Sequence, residues 1–281
     1  LHHFSYTNIS NEFIIMKKNV LFWIAVQNND PHINNKHGGF KYFEYSKLTW
    51  EYWCKKNDVT FFHYDKCSNN DIVTHKPTWQ RWFDVFEVLK SNNIEYDKIC
   101  IMDSSTMIRW DTPNFFDLCP AGELTAFRSL ENLRWISESA NGYQTLFPDV
   151  KIDLKKYINC GVQIFDKEHK PFLKKLKDFY FDRFDDVMKL QNEIVKKGTD
   201  QPVYNYFVQK EGVKLGFNLP PAYHLTHLSR FDWFSHNWQL GDKMPFFIKY
   251  GYVWSFSGFP NRGERHTIMN QTWDIVKENY K

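Results

Sequence analysis

The stretch YDKICIMDSST (residues 96–106) decides the fold prediction for this chain. Its apolar core, Ile99 to Met102, follows polar residues and stops on a carboxylate, Asp103. A short apolar run between turn-forming residues is typical of a strand that is covered on both faces. In an open α/β sheet, ligands bind outside the carboxyl ends of the strands. The stretch therefore predicts a core strand that delivers Asp103 to a binding site.

Segments on either side of this strand alternate between strand-like and helix-like patterns. Strands are expected at residues 20–26, 59–64, 98–102, 124–127, 157–165 and 252–258. Helices are expected at residues 45–56, 78–91, 130–139, 170–183, 186–195, 203–210 and 267–280. Strands that alternate with helices predict an α/β fold, with a Rossmann-like, mostly parallel sheet between helices. The remainder, residues 213–281, is expected to be an aromatic, loop-rich C-terminal part.

Length and composition favour one soluble domain. The chain has 281 residues, of which 42% are hydrophobic and 25% charged, which is an ordinary globular balance. We expect a single domain over residues 16–281, because Met16 resembles a start position and residues 1–15 look like an upstream extension. The apolar run at residues 20–26 is too short to span a membrane, so no membrane span is predicted.

Charge and cysteine usage narrow the choice of partners and compartment. A net charge of +3 with dispersed lysines does not indicate nucleic-acid binding. The five cysteines are scattered without metal-like spacing, which favours a reducing, cytoplasmic location over a disulfide framework. Aromatic residues reach 19%; their flat faces suit sugar rings and bases, and they equally suit a packed core. The sequence predicts no oligomeric state.

Several polar positions stand where binding chemistry is expected. Asp200 and Gln201 open a predicted helix, where free backbone N–H groups favour anions, although simple N-capping by Asp200 is the alternative. Ser104 and Ser105 follow Asp103 directly. His224 and His227 are three residues apart, but no nearby cysteine or carboxylate completes a zinc set.

Four segments occur in an order that resembles a known enzyme family. They are WQRWF (79–83) with YDKICIMDSST (96–106), YINCGV (157–162), TDQPVYN (199–205) and YVWSFSG (252–258). Together they resemble the nucleotide-sugar glycosyltransferases of the GT-A fold, especially the retaining families of the glycogenin and bacterial galactosyltransferase type. The resemblance implies that the chain transfers a sugar from a nucleotide-diphosphate donor.

The resemblance also implies a metal site, and two of its positions differ here. In that family, Asp103 corresponds to the first carboxylate of a DxD motif, which reaches the ribose and helps to hold Mn²⁺ or Mg²⁺ against the diphosphate. The second carboxylate is replaced by Ser105, and a metal-binding histidine by Ser255. Asp103 is thus the one metal ligand that the comparison leaves. The joint replacement predicts weak or absent metal dependence, with Arg262 and Arg265 as cationic substitutes for the phosphates.

The resemblance assigns the remaining site residues by position. Asp200 and Gln201 are the implied catalytic pair beside the reactive carbon of the sugar. Donor binding is implied for Ala25, Gln27, Asn28, Arg81, Asp103, Ser104, Ser105, Arg128, Asn159, Gly161, Ser255, Gly258, Arg262 and Arg265. A structural salt bridge is the alternative for Arg128, and a glycine bulge in a core strand for Gly161.

These observations lead to one function hypothesis and two rivals. We expect a hexosyltransferase-like enzyme of polysaccharide biosynthesis, with a nucleotide-sugar donor and a glycan, lipid-linked or small-molecule acceptor. The first rival is a non-catalytic carbohydrate- or nucleotide-binding protein of the same fold, which the serines at 105 and 255 would suit. The second is a nucleotidyltransferase, which needs a glycine-rich, basic loop after the first strand; residues 27–31, QNNDP, lack that character.

Overall fold

The computed structural model describes residues 18–27, 42–129, 132–226, 244–258 and 262–281, with the backbone only for residues 262–264. The expected extension at residues 1–15 lies outside these ranges. So do Asn28, His227 and the first two residues of the helix expected at 130–139. In the part of the chain that is described, no helix has the length and apolar character needed to cross a membrane.

A six-stranded sheet forms the centre of the molecule. Its strands are β1 (Asn19–Ile24), β2 (Val59–Tyr64), β3 (Lys98–Asp103), β5 (Leu124–Arg128), β6 (Ile158–Phe165) and β7 (Leu215–Gly216), in the order β2-β1-β3-β6-β5-β7. The pairs β2-β1, β1-β3 and β5-β7 are parallel, whereas β6 runs antiparallel to both of its neighbours. Five strands therefore point the same way, and the amino end of β6 meets the carboxyl ends of the others.

Helices cover both faces of the sheet. They are α1 (Tyr42–Lys56), α2 (Pro77–Ser91), α3 (Leu133–Tyr143), α4 (Lys170–Asp182), α5 (Phe184–Lys189), α6 (Gln201–Lys210), α7 (Phe246–Tyr250) and α8 (Arg262–Val276). Short 3₁₀ turns and one π-helical turn, Leu190–Ile194, connect them.

The alternation of side chains along β1 divides the core into two layers. Val20 and Phe22 pack in one apolar cluster with α2, α4 and α6, whereas Leu21 and Trp23 pack in a second cluster with α1 and α8. Successive side chains of a strand point to opposite faces, so an unbroken apolar run is buried on both sides. This burial makes β1 a central strand.

A second sheet lies beside the end of β3. Here β4 (Thr106–Ile108) pairs antiparallel with β8 (Val253–Ser255), and Thr106 lies opposite Ser255. Only two residues, Ser104 and Ser105, separate β3 from β4. The chain therefore crosses from one sheet to the other at the segment that follows Asp103.

The predicted α/β fold with a mostly parallel sheet is confirmed. Several boundaries were wrong. The helix expected at 45–56 begins at Tyr42, and the helix expected at 130–139 is Leu133–Tyr143. The helix expected at 186–195 is α5 followed by the π-helical turn, and the helix expected at 267–280 begins earlier, as α8. The strand expected at 252–258 is shorter and belongs to the second sheet, because its register is set by β4 rather than by the central strands.

Candidate active site

The carboxyl edge of the sheet gathers the predicted residues around Asp103. Across the parallel pair, Asp103 lies opposite Ile24, the last residue of β1. On its other side, Met102 lies opposite Val162, which brings Gly161 next to Asp103. The antiparallel direction of β6 thus carries the segment 159–161 to the same edge at which β1 and β3 end.

Arg81 of α2 joins two acidic residues that are far apart in sequence. Its Nη1 donates to Asp103 Oδ1 at 2.5 Å, and its Nη2 donates to Asp200 Oδ2 at 2.8 Å. Trp82 Nε1 donates to the same Asp200 oxygen at 2.7 Å, and the guanidinium carbon of Arg81 lies 4.7 Å from the Trp82 ring centroid. The planar guanidinium presents its N–H groups in a fixed fork, so one arginine can bind a carboxylate on each side in a defined geometry.

The three members of this cluster differ in exposure. Arg81 and Asp200 have only 3% and 4% of their side-chain surface exposed, whereas Asp103 keeps 33%. Asp103 is therefore the member through which the cluster faces solvent.

Burial sets the electrostatics of the cluster. Burial raises the pKa of Asp103 above its ordinary value, and the neighbouring Arg81 charge opposes that rise. For Arg81, burial lowers the pKa, but the carboxylates of Asp200 and Asp103 outweigh it and raise the pKa overall. Burial also raises the pKa of the Cys160 thiol well above its usual range, so this cysteine is a neutral thiol. The guanidinium remains charged between its two partners.

The amino end of α6 brings Gln201 to the same edge. Asp200 occupies the N-cap position, but its side chain makes no capping hydrogen bond. Simple N-capping, the alternative for Asp200, is thus wrong, because its oxygens bind Arg81, Trp82 and the Thr199 hydroxyl instead. Gln201 Oε1 accepts from the Cys160 N–H at 3.2 Å, so α6 is tied to β6.

Gly161 is closely surrounded by polar atoms. A Cβ atom at this position would lie 3.0 Å from Asn159 Oδ1 and 3.1 Å from Asp103 Oδ2. Asn159 Oδ1 itself accepts from the Gly161 N–H at 2.7 Å. A side chain here would crowd these two acceptor oxygens, which glycine leaves uncovered.

Ser105 and Ser255, the two positions where the resemblance expects metal ligands, lie side by side. Ser105 O accepts from the Phe256 N–H at 2.7 Å, and Ser255 follows Val253 and Trp254 in β8. Both serines are buried, and Ser255 Oγ lies 2.8 Å from Ser257 Oγ. Neutral hydroxyls are poor substitutes for the carboxylate and imidazole ligands of Mg²⁺ or Mn²⁺. The serine hydroxyls at these two positions therefore do not fit this metal. Among the described residues, no group of three or more His, Cys, Asp or Glu could hold a metal ion.

Besides Arg81, two predicted arginines have described side chains at this edge. Arg265 Nε donates to Phe256 O at 2.9 Å, and its guanidinium carbon lies 5.3 Å from the Tyr42 ring centroid. Its charge opposes the rise that burial causes in the pKa of Asp103. Arg128 is exposed at the end of β5, with its guanidinium carbon 3.9 Å from the Phe217 ring centroid. The alternative for Arg128, a salt bridge, is not among the ion pairs of the described residues. Arg262 begins α8, and its side chain lies outside the described part.

The other predicted donor contacts are spread along the edge. Ala25 is buried and its N–H donates to Tyr64 O at 3.0 Å, while Gln27 is exposed. Ser104 is half-buried in the turn after Asp103, and Gly258 is exposed with φ at +81°. Asn28 lies outside the described residues.

Two residues near the site escaped the sequence reasoning. Within the segment WQRWF (79–83) no separate role is predicted for Trp82, yet its indole N–H binds Asp200. His224 was considered only for zinc, yet its Nε2 lies 3.6 Å from the Cβ position of Gly161. The sequence pattern around Trp82 or His224 does not predict these contacts. Each contact depends on how segments that are distant in the chain pack together.

The most voluminous groove described lies away from this edge. It measures about 760 Å³, runs between α2 and α4, and has Trp82, Phe83 and Phe86 on one side and a row of lysines that includes Lys170 and Lys174 on the other. None of the predicted site residues lines it. The carboxyl edge is therefore identified by its chemistry and not by cavity size.

Comparisons with known proteins bear on the fold. No protein-family model and no curated protein sequence matches the chain. A crystal structure of a glycosyltransferase involved in the glycosylation of the major capsid of PBCV-1 is similar, with a TM-score of 0.54 and 12% identity, over 90% of this chain and 99% of that one. The apo structure of the bifunctional glycosyltransferase WbbM aligns with a TM-score of 0.45 and 12% identity, over 93% of this chain and about half (51%) of that one. At such low identity the first likeness establishes the fold alone: this chain has the fold of a glycosyltransferase.

Proposed function

We propose that the chain is a glycosyltransferase that moves a sugar from a nucleotide-diphosphate donor to a carbohydrate-type acceptor at the carboxyl edge of its sheet. The observation that carries the proposal is the cluster in which Arg81 joins Asp103 and Asp200, on a glycosyltransferase fold. Burying an arginine between carboxylates costs free energy, because the charges lose contact with water. Such a cluster is therefore expected where the position of the carboxylates matters for function. In this fold class, the edge is also where ligands bind.

Glycosyl transfer breaks the bond between the anomeric carbon and the diphosphate oxygen. A new bond forms between that carbon and an acceptor hydroxyl oxygen, whose proton is lost, and the diphosphate leaves with the electron pair. The partly exposed Asp103 suits a contact with a donor hydroxyl, as the resemblance implies. Cationic groups at the edge, Arg265 and Arg128, suit the leaving diphosphate, and Arg262 is assigned to the same role from its sequence position.

We assign Asp200 a positioning role rather than direct attack. Its oxygens are bound by Arg81, Trp82 and Thr199, and its side chain is almost fully buried. It therefore acts by fixing Arg81, which in turn fixes Asp103. Gln201, the other member of the proposed catalytic pair, accepts a hydrogen bond from the Cys160 N–H of β6. Asn159 and Gly161, beside which the resemblance implies the donor sugar, are the neighbours of Cys160 in the chain.

The central test is the replacement of Asp103. Asp103→Ala is expected to abolish nucleotide-sugar turnover, or at least to reduce it by roughly a hundredfold or more, while the fold stays intact. Asp97→Ala is the matched control: it removes the same side chain at the opposite end of β3, where Asp97 accepts from the Lys18 N–H. Equal turnover in wild type and the Asp103→Ala variant would remove Asp103 from the site.

Metal dependence has its own test, because the serines at 105 and 255 do not form a metal site. Turnover is measured before and after treatment with EDTA, and again after addition of Mn²⁺. We expect EDTA to leave the rate unchanged. Full loss of activity that Mn²⁺ restores would show that other ligands hold a metal.

A second candidate function is favoured by the same two serines. A protein that keeps the fold but has lost the metal ligands would bind nucleotide or carbohydrate without transferring a sugar. Nucleotide binding without hydrolysis or transfer, across a broad panel of donors and acceptors, would favour this function. Turnover with any donor would exclude it.

A further inference from the structure

His224 reaches the carboxyl edge from a short 3₁₀ turn, Pro221–His224. The segment around it is held by backbone hydrogen bonds: the Tyr252 N–H donates to Ala222 O at 2.7 Å, and the Leu225 N–H to Val253 O at 2.8 Å. The His224 side chain is 6% exposed and its ring lies 5.1 Å from that of Phe127. Both the backbone and the ring packing therefore fix the direction of the imidazole.

The imidazole points toward Gly161 and Asp103. One point, the Cβ position that Gly161 leaves empty, lies 3.6 Å from His224 Nε2, 3.1 Å from Asp103 Oδ2 and 3.0 Å from Asn159 Oδ1. These atoms come from three separate parts of the chain: the turn after β7, the end of β3 and the start of β6. Their convergence is a property of the tertiary structure.

The kinds of atom that meet here decide which ligand fits. Two of the three are acceptor oxygens, which repel the oxygens of a phosphate. A hydroxyl group both donates and accepts, so it can donate to Asp103 or Asn159 and satisfy either tautomer of His224. The polar atoms around Gly161 therefore suit a sugar hydroxyl better than a diphosphate.

We propose that His224 is a further substrate-binding residue, which together with Asp103 and Asn159 binds a sugar hydroxyl of the donor above Gly161. This inference rests on the proposed function, since it names a contact within the same site. The hydroxyl belongs either to the ribose of the nucleotide or to the transferred sugar, because both offer the same chemistry. Binding measurements separate these two sources.

The experiment measures equilibrium dissociation constants by calorimetry. The ligands are the diphosphates of uridine, guanosine, cytidine and adenosine, their 2′,3′-dideoxy forms, and their glucose and galactose conjugates. The variants are His224→Ala and His224→Gln, whose amide can replace Nε2. His169→Ala is the matched control, because His169 is 5% exposed, lies beside the Phe165 ring, and follows the opposite end of β6.

We expect His224→Ala to weaken the binding of ligands that carry the hydroxyl by roughly tenfold, and His224→Gln to restore most of that loss. A loss with the ribonucleoside diphosphate that disappears with its dideoxy form identifies the ribose. A loss confined to the hexose conjugates identifies the transferred sugar. His169→Ala is expected to bind every ligand as wild type does.

Two results would overturn the inference while the proposed function stands: unchanged binding of every ligand by His224→Ala, or an equal loss for all ligands, dideoxy forms included. If His224→Ala does not fold, His224→Leu removes the nitrogen and keeps an apolar contact with Phe127. A wild-type chain that binds none of the nucleotides would instead contradict the proposed function itself.

Discussion

Arg81 shows how one side chain organises the candidate site. Its guanidinium has almost no exposed surface and binds Asp103 and Asp200, which come from different elements. Removing one partner of a buried ion pair leaves an uncompensated charge, which is more costly than the net gain from forming the pair. Asp103 and Asp200 would then be left close together without the cation between them.

Arg81→Met tests this arrangement. We expect it to lower the free energy of unfolding by about 3–5 kcal/mol, because the buried Asp200 and the partly exposed Asp103 lose their shared cation. Urea denaturation measures the loss, and the double variant Arg81→Met/Asp200→Asn should recover part of it because one of the carboxylates is then neutral. A loss below about 1 kcal/mol, the range of exposed pairs, would contradict a buried role for Arg81.

At the scale of elements, the turn before α6 places Asp200. Gly198 has φ at +74°, a conformation that favours glycine, and a Cβ atom there would lie 2.7 Å from Pro202 Cγ. Pro202 is in the first turn of α6, where its fixed φ suits a helix start. The glycine therefore lets the chain turn closely against the helix whose N-cap residue binds Arg81.

Gly198→Ala is expected to destabilise the protein by more than Gly212→Ala. Both residues have positive φ, which costs an alanine about 1–2 kcal/mol, but nothing lies within 4 Å of a Cβ at Gly212. The difference in stability between the two variants therefore measures the collision of the added methyl group with the Pro202 ring, whose position is fixed by the backbone. Thermal unfolding of the two variants measures it, and equal melting temperatures would show that α6 yields to the added methyl group.

For the molecule as a whole, a second polar cluster stabilises the opposite end of β6. Asp166 follows β6 and accepts from the N–H groups of Gly122 and Glu168 at 2.6 and 2.9 Å, and His169 Nδ1 lies 3.0 Å from its Oδ1. Burial alone would raise the pKa of Asp166, but these hydrogen bonds outweigh it and hold the pKa below the ordinary 3.8. The cluster ties the loop before β5 to the turn before α4, away from the proposed active site.

Acid stability follows from this lowered pKa. The unfolded chain binds the proton at higher pH than the folded one, so the stabilisation is complete above pH 3.8 and is lost as the pH falls through the lower folded value. Asp166→Asn removes this contribution. We expect the gap in melting temperature between wild type and Asp166→Asn to be constant near neutral pH and to shrink below pH 3.8. A gap that does not depend on pH would contradict the assignment.

Much of the fold was predictable because its signals are local. The apolar runs that became β1, β2 and β3 were found almost residue for residue, since a strand buried on both faces needs continuous apolar side chains. The position of Asp103 at the end of β3 followed from the same pattern. The short β8 was misjudged, because its pairing with β4 depends on a segment about 150 residues away along the chain.

The sequence by itself determined the alternation of strands and helices and the carboxylate at the end of β3, because periodicity and chain polarity depend only on neighbouring residues. Only the tertiary structure decided that Arg81 binds both Asp103 and Asp200, and that His224 and Asn159 meet Asp103 above Gly161. Arg81 is 22 positions from Asp103 and 119 positions from Asp200 along the chain. These contacts depend on how α2, α6 and the turn after β7 pack at one edge of the sheet. Local sequence patterns do not predict that packing.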